Sequence, residues 1–362
     1  MSLSLGCYFF HFIIIAVQDV RHAGGAPARS CEGRTGPSLH PPHPWPTLFN
    51  SYIFNMKIVF MGTPEFAAHF LEHLIASDNE VLAVVTQPDR PAGRGRVLTP
   101  PPVKVAALNH NLPVLQPTDL KSPEFEADLR KYDADLFVVV AYSILPKNIL
   151  GVAKFGAVNV HGSLLPKYRG AAPVQRAIAD GLKETGVTVF RLDEKMDHGP
   201  ILAQRMVVID HQETTASLLD KMVAPGCDAL DDAINQLKNG CEKDLTQDHA
   251  QASGAPKIKK EEGLIDFSLP ALTIHNRIRA FNPWPGGYGK LGGRMVYLRK
   301  TDTPENGPKL APGVVEFKDN RFFVGTGEGV LEVIEIQAEG KKPMPVADFM
   351  RGIQKREGLQ FC

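Results

Sequence analysis

Hydrophobic positions follow two alternating periods from residue 57 onward. Short runs of β-branched and aromatic residues, KIVFMG at 57–62 and VLAVVT at 81–86, predict buried strands. Between them, TPEFAAHFLEHLIAS at 63–77 repeats its apolar residues at helical spacing, which predicts an amphipathic helix. A strand, a glycine turn, a helix and a second strand predict a right-handed parallel βαβ unit.

Further strands follow along the chain, predicted at 136–141, 157–160, 186–192 and 201–209. The first two of these runs are nearly all apolar, as expected of strands covered on both faces. A helical pattern covers 212–238, and Pro225 should break it into two pieces. These elements predict a doubly wound, mostly parallel α/β domain with a Rossmann-like sheet. The spacing G-x-G-x-x-G is absent after the first strand, so we do not expect NAD binding.

The pattern changes after a polar stretch that ends in KIKKEE at 257–262. A short helix is predicted over 271–280, and short strands separated by glycines follow, which favours a small β-barrel. The sequence therefore predicts a catalytic domain, an interdomain linker and a C-terminal domain, at 56–243, 244–262 and 263–362.

Residues 1–55 have a different composition. An apolar run at 9–17 is too short to span a bilayer, and a stretch rich in Gly, Pro, Ser and Arg follows it. Three interpretations compete: a targeting leader, a disordered extension, or an upstream region included by a misplaced start codon. We favour the third, with Met56 as the functional start.

Composition limits the partners and the cellular compartment that can be expected of this protein. The formal net charge is zero, so any contact with nucleic acid must come from local basic patches rather than a global field. The five cysteines show no paired metal spacing, which suits a reducing compartment. We expect a cytoplasmic monomer with no membrane association and no metal.

The densest candidate chemistry lies in NVHGSLLPKYRGAAPVQ at 159–175. Asn159 and His161 are two residues apart, so on an extended segment both side chains point to the same side. A structural histidine in a loop is the alternative explanation. Asp197 follows a later strand within a turn, where a carboxylate can equally be a turn-former.

The loop after the second predicted strand, at 87–104, is basic and rich in glycine and proline. It carries Arg90, Arg94 and Arg96, with Asp89 as the opposing charge near them. A long loop of this kind suits a phosphate-bearing partner, although a solvated linker with scattered charge would look similar.

The segment at 159–175 resembles the signature of the folate-dependent formyltransferases, most closely those that act on methionyl-tRNA. Three further segments support this resemblance from Lys57 to the C-terminus: TQPDRPAGRGR at 86–96, LDEKMDHGPIL at 192–202 and IRAFNPWPGG at 278–287. The resemblance implies an OB-like C-terminal barrel that helps to bind tRNA. It also implies transfer of the formyl group of 10-formyltetrahydrofolate to the amino group of initiator methionyl-tRNA.

The resemblance implies a catalytic trio of Asn159, His161 and Asp197. In formyl transfer, negative charge grows on the formyl oxygen, and preorganised donors stabilise it. Asn159 and His161 would donate to this oxyanion, while Asp197 would orient His161 and assist proton transfer. The runner-up interpretations are a formyltransferase for a nucleotide-linked amino sugar or a purine precursor, and a nucleic-acid-binding module without catalytic activity.

The resemblance further implies where the substrates bind. The folate is expected against a partly apolar turn formed by Ser163, Leu164, Leu165 and Pro166. The tRNA is expected to contact Arg94, with Arg90 and Arg96 placing the loop electrostatically. One departure concerns AYSILP at 141–146, which is one residue shorter than the usual family segment and lacks its glycine.

Overall fold

The computed structural model describes residues 55–93, 95–353 and 358–361. They belong to one compact unit. Almost all of the predicted leader at 1–55 lies outside the described residues, and so does Arg94.

The strands of the described residues are β1 (Lys57–Gly62), β2 (Glu80–Val85), β3 (Arg90–Ala92), β4 (Val97–Thr99), β5 (Val114–Leu115), β6 (Leu136–Val140), β7 (Ala157–His161), β8 (Glu184–Arg191), β9 (Ile201–Val208), β10 (Gly287–Leu291), β11 (Arg294–Asp302), β12 (Val315–Lys318), β13 (Arg321–Gly325), β14 (Val330–Ala338) and β15 (Met344–Pro345). The helices are α1 (Glu65–Ala76), α2 (Pro102–Asn109), α3 (Pro123–Arg130), α4 (Lys147–Leu150), α5 (Pro173–Ala179), α6 (Thr215–Asn239), α7 (Ala271–Ala280) and α8 (Val346–Arg351).

The first sheet is mostly parallel and has the strand order β5-β2-β1-β6-β7-β8-β9. The pairs from β5 to β7 are parallel, whereas β8 runs antiparallel to both β7 and β9. The predicted α/β fold class is therefore confirmed. The strand order reverses beside β1, and in such sheets ligands bind at the carboxyl ends of the strands near this point.

The first sheet is covered on both faces, and β1 shows why its sequence is almost entirely apolar. Ile58 and Phe60 face a layer that contains α1, α5 and α6, while Val59 and Met61 face a layer that contains α3 and α4. All four side chains are fully buried. Each contributes roughly 1.5–3 kcal/mol by leaving water, which fixes the strand between the two layers.

Helix α6 corrects one prediction. Pro225 lies inside a continuous helix of 25 residues and does not break it into two pieces. An interior proline costs about 3 kcal/mol because it removes a backbone hydrogen bond and crowds the preceding turn. Apolar side chains on the inner face, such as Leu218, Met222 and Leu230, are fully buried. Their burial, about 1.5–3 kcal/mol each, outweighs the cost of the proline.

The second sheet is antiparallel, with the order β10-β11-β14-β13-β12 and β15 paired to β14. Residues near the chain end connect its two outer strands: Phe361 bridges to Leu291 at the end of β10, and Gln360 bridges to Val314 just before β12. The sheet thereby curls into the barrel-like arrangement that the short, glycine-separated strands predict. Helix α7 has the predicted bounds and contributes Ile274 and Ile278 to the barrel core.

Candidate active site

Asn159 and His161 lie at the carboxyl end of β7, between β6 and β8. In the register of the sheet, Asn159 pairs with Val139 and with Phe190, and His161 pairs with Thr188. The period of two in a strand places both side chains on one face of the sheet, as the sequence predicts. Asp197 approaches from the turn between β8 and β9, where its backbone is left-handed with a φ of 50°.

The structure brings His161 and Asp197 together. The distance from His161 Nδ1 to Asp197 Oδ2 is 3.8 Å, and the two side chains are only 6% and 12% exposed. This separation is within ion-pair range but longer than a hydrogen bond. Asp197 Oδ2 accepts a hydrogen bond of 2.7 Å from the backbone N–H of Gly170, which fixes the carboxylate beside the imidazole.

A backbone carbonyl orients His161. Its Nε2 donates to the carbonyl oxygen of Tyr168 over 2.9 Å. Since a carbonyl only accepts, Nε2 must carry the proton, and Nδ1 is left facing Asp197. This contact could not be predicted from the sequence, because a backbone carbonyl seven residues away leaves no signal in the choice of side chain.

Asn159 and Asp197 both line a cavity of about 80 Å³. Within the described residues, the Asn159 side chain has no hydrogen-bond partner, so its amide is available to a ligand. Tyr142 lines the same cavity, and its hydroxyl is buried without a partner among the described residues. Burial raises the pKa of Tyr142 to about 12, so the hydroxyl stays a neutral donor.

The cavity wall contains the segment that departs from the family pattern. Residues 142–145 line it on one side, with Ile144 67% exposed at its opening. Ala141 adopts a left-handed φ of 47°, and the Ser143 hydroxyl accepts a 3.0 Å hydrogen bond from Gln87. The shortened segment is therefore tied to the loop that follows β2.

The predicted folate turn packs against β8 and β9 rather than lining this cavity. Ser163 is fully buried, and its carbonyl accepts a 2.6 Å hydrogen bond from Thr188. Leu165 is 4% exposed and packs with Phe190, Ile201 and Leu192. Leu192 itself lines the cavity, so the turn supports the cavity wall from behind. The folate-binding roles of Ser163, Leu164, Leu165 and Pro166 stay predictions.

The predicted interdomain linker is hydrogen-bonded to the loop that follows β7. We call residues 247–255 the linker segment. Arg169 N–H donates to Ser253 O over 2.8 Å, and Ala255 N–H donates to Arg169 O over 2.6 Å. Gly170 has a φ of 122°, and a Cβ there would lie 2.7 Å from Ala255 O. The close backbone contact therefore requires glycine.

A stacked histidine pair adds to this contact. The rings of His198 and His249 are parallel, with centroids 4.0 Å apart, and Arg169 Nη2 lies 2.9 Å from His249 Nδ1. Desolvation lowers the pKa of His249, and the positive charges of His198, Arg169 and Lys195 lower it further. A neutral His249 can accept the hydrogen bond that Arg169 donates.

The basic loop after β2 forms a small hairpin of β3 and β4. Arg90 and Arg96 are exposed, and Arg90 donates to Gln87 over 3.1 Å. Val97 and Leu98 are 67% and 64% exposed. The loop is thus more regular than its glycine and proline content predicts, and it presents both charge and apolar surface.

Most of the chain matches known protein families and individual proteins. Residues 56–234 match the formyl transferase family model, and residues 257–354 match the model of the formyl transferase C-terminal domain. The methionyl-tRNA formyltransferase of Desulfotalea psychrophila is 46% identical over 300 residues, which cover 82% of this chain and 93% of that protein. The methionyl-tRNA formyltransferase of Myxococcus xanthus is 45% identical over 306 residues, which cover 84% and 97%.

Solved structures share the fold at lower identity. HypX from Aquifex aeolicus in complex with tetrahydrofolic acid superposes with a TM-score of 0.59 at 19% identity, over 85% of this chain and 50% of that one. The N-formyltransferase from Helicobacter canadensis, in complex with folinic acid and dTDP-3-aminofucose, has a TM-score of 0.59 at 19% identity, over 78% and 99%.

No helix among the described residues is long and apolar enough to cross a membrane. The two matched domains and the relatives of 41–46% identity identify the same family. The chain belongs to the formyl transferase family.

Proposed function

We propose that this protein transfers the formyl group of 10-formyltetrahydrofolate to the free amino group of initiator methionyl-tRNA, for translation initiation. The relatives of 41–46% identity that carry the name methionyl-tRNA formyltransferase support the choice of acceptor. The observation that carries the chemistry is the meeting of Asn159, His161 and Asp197 at the carboxyl end of β7.

The reaction makes one bond and breaks one. The methionyl nitrogen attacks the formyl carbon, the formyl oxygen becomes an oxyanion, and the tetrahedral intermediate collapses as the bond to the folate nitrogen breaks. The amine loses one proton and the folate nitrogen gains one. The unpaired Asn159 amide supplies a neutral donor to the oxyanion at the cavity wall.

His161 and Asp197 manage charge and protons in this scheme. With Nε2 donating to Tyr168, His161 presents Nδ1 toward Asp197, which lines the cavity. A proton on Nδ1 makes the ring a second donor to the oxyanion. Asp197, held by Gly170, balances that charge and accepts or returns the proton as the amine attacks and the folate nitrogen leaves.

The folate binds against the cavity beside Asn159 in this proposal. Residues 142–145 provide a partly apolar wall, and the neutral Tyr142 hydroxyl provides a donor for a polar edge of the pterin. The turn from Ser163 to Pro166 contributes through Leu165, which belongs to the apolar cluster that supports Leu192 from behind. The apolar contacts and the Tyr142 hydroxyl suit a flat ring with a polar rim.

The tRNA approaches from the hairpin of β3 and β4. Arg94 would contact phosphates of the acceptor arm, because Arg90 and Arg96 expose their guanidinium groups on the same loop and concentrate positive charge there. The C-terminal barrel would add a second, more distant contact to the tRNA.

The test is transfer of a labelled formyl group by the purified protein. Methionyl-tRNA, a nucleotide-linked amino sugar and an amino precursor of purines are offered in parallel with 10-formyltetrahydrofolate. We expect the label on methionyl-tRNA, with a kcat/KM far above that for the other two acceptors. Preferential labelling of the amino sugar or the purine precursor would replace the proposed acceptor while retaining the formyl transfer chemistry.

A further inference from the structure

Gln247 of the linker segment contacts both loops that carry the candidate catalytic groups. The residue is only 4% exposed. Its Nε2 donates to the carbonyl oxygens of Asp197 and Gly199, over 3.1 and 2.7 Å. Its Oε1 accepts from the Arg169 guanidinium, 3.2 Å from Nε. Both donor hydrogens and the acceptor of the amide are thus in use.

The two loops joined by Gln247 determine the geometry of His161 and Asp197. Arg169 lies between Tyr168, whose carbonyl accepts from His161, and Gly170, whose N–H donates to Asp197. On the other side, Gln247 holds the backbone of Asp197 itself. A single buried amide therefore links the segment that orients the imidazole to the turn that presents the carboxylate.

The chemistry at this position favours a neutral amide. The side chain must donate to two carbonyl oxygens and accept from a cation at the same time. A carboxylate would place its oxygens against the carbonyls of Asp197 and Gly199, and an ammonium group would repel Arg169. Removing the amide would leave the buried carbonyl of Gly199, the half-buried carbonyl of Asp197 and part of the Arg169 guanidinium without this partner, which is costly away from water.

We propose that Gln247 is a positioning residue for formyl transfer: it sets the separation between His161 and Asp197 by holding the turn at 197–199 against Arg169. This inference rests on the proposed function. Gln247 does not touch the reacting atoms. Its contribution is to fix the relative position of two groups that do, and misplacement by about 1 Å can cost about 10²-fold in rate.

The test compares Gln247→Met, Gln247→Glu and a matched control in the full-length protein. Methionine keeps the length of the side chain and removes all its hydrogen bonds. Glutamate keeps an acceptor for Arg169 and removes the two donations to the turn. The control is Gln236→Met, because Gln236 also bridges two backbone groups, donating to Leu202 O over 3.0 Å and accepting from Lys243 N–H over 3.2 Å, between α6 and β9.

The experiment measures kcat, normalised to the concentration of folate-binding sites, together with KM for methionyl-tRNA, folate affinity and the midpoint of thermal unfolding. We expect both Gln247 variants to lose kcat by on the order of 10–100-fold while KM and folate affinity stay unchanged. Gln236→Met should lower the unfolding midpoint and keep kcat. If Gln247→Met does not fold, Gln247→Glu carries the test, because it retains the Arg169 contact.

Two results would overturn the proposal. Wild-type kcat per binding site in Gln247→Glu would show that the donations to the turn do not position the carboxylate. Equal loss of kcat in the Gln236 and Gln247 variants would show that any loss of stability has the same effect. If instead the wild-type protein fails to formylate methionyl-tRNA in the same assay, the proposed function fails first.

Discussion

Two loops leave the same edge of the first sheet and differ in how they are held. The catalytic segment (residues 159–175) is hydrogen-bonded through its backbone to the linker segment, and nearly all of its residues are buried or half-buried. The hairpin segment (residues 87–101) is anchored at its base, where Lys104 pairs with Asp89 and Gln116, while its tip is exposed. The catalytic segment is held in place by hydrogen bonds to its neighbours, whereas the hairpin segment presents its surface to solvent.

The difference follows from what each loop has to contact. Formyl transfer requires donors held within about 0.5 Å of the geometry that stabilises the developing oxyanion, so its loop needs support from every side. A folded nucleic acid is large and is met mainly through its phosphates, so exposed cations on a projecting hairpin suffice. Mutations in the catalytic segment should therefore affect kcat, whereas mutations in the hairpin segment should affect the use of tRNA.

The largest expected effect comes from the trio. Asn159→Ala, His161→Ala and Asp197→Ala should each lower kcat by about 10²–10³-fold, with substrate binding near wild type, because each removes a group that acts on developing charge. The measurement is steady-state kinetics with methionyl-tRNA. His73→Ala is a matched control, since His73 forms a comparable pair with Asp231, 2.9 Å apart, between α1 and α6. A near-normal kcat in His161→Ala would remove it from the mechanism.

A pair of glycine substitutions compares the support of the two loops directly. Gly170→Ala introduces a Cβ 2.7 Å from Ala255 O at a φ of 122°, whereas Gly93→Ala, at a φ of 67°, introduces one into open space. We expect Gly93→Ala to cost about 1–2 kcal/mol of backbone strain alone. Gly170→Ala should cost more and should also lower kcat. Thermal unfolding and kinetics on both variants provide the measurement, and equal effects would contradict the comparison.

The hairpin arginines should show a smaller effect of a different kind. Arg94→Ala should weaken the use of methionyl-tRNA and reduce the salt slope of tRNA binding by roughly one unit, as expected for loss of one phosphate contact. Arg90→Ala and Arg96→Ala should act in the same direction. The measurement is kcat/KM for tRNA at several salt concentrations, beside folate affinity.

Arg130→Ala is the surface control for these variants, because Arg130 pairs with Glu126 on α3, 2.8 Å apart. A parallel fall in folate affinity would mean that the hairpin covers the folate site instead of contacting tRNA.

The smallest effect concerns pH. Because the pKa of His249 is below its usual 6.5 in the folded protein, the charged ring is disfavoured by folding. Its contribution to stability is complete above pH 6.5 and is lost as the pH falls through the lower folded value. The measurement is amide hydrogen exchange. The protection factors of residues 168–172 should be lower at about pH 5.5 than at about pH 7.5.

The hairpin segment contains no histidine, so its protection should not follow that change. In His249→Asn, residues 168–172 should lose most of their dependence on pH. Persistence of the same dependence in this variant would assign it to another group.

Local periodicity predicts most of the fold. The strands β1, β2, β6 and β7 could be predicted from their apolar runs because both faces of each strand are buried. Helix α7 has the bounds that its helical spacing predicts. The predicted break at Pro225 was wrong because the free energy gained by burying the inner face of α6 exceeds the cost of one interior proline. A local sequence pattern contains no information on this balance. The hairpin of β3 and β4 was hidden by glycines and prolines that are usually read as loop signals.

Only part of the candidate site could be predicted from the sequence. Asn159 and His161 stand two apart on one strand, so their convergence follows from strand geometry, and Asp197 was added by family resemblance. Gln247 left no signal, because one glutamine in a polar linker is chemically ordinary until the fold places it beside Asp197 and Arg169. Long-range backbone contacts of this kind depend on the folded path of the chain rather than on local residue types.

The bridges of Gln360 and Phe361 also bear on how the protein behaves at high concentration. An uncovered outer strand offers a row of free backbone groups to any other copy of the chain. Here the N–H of Phe361 donates to Gly313 O over 2.8 Å, and Gln360 O accepts from Gly292 N–H over 3.2 Å, so this short stretch covers both margins of the barrel. Displacing it would expose the backbone groups at both outer strands of the barrel together. The resulting defect would be self-association of the protein rather than a loss of formyl transfer.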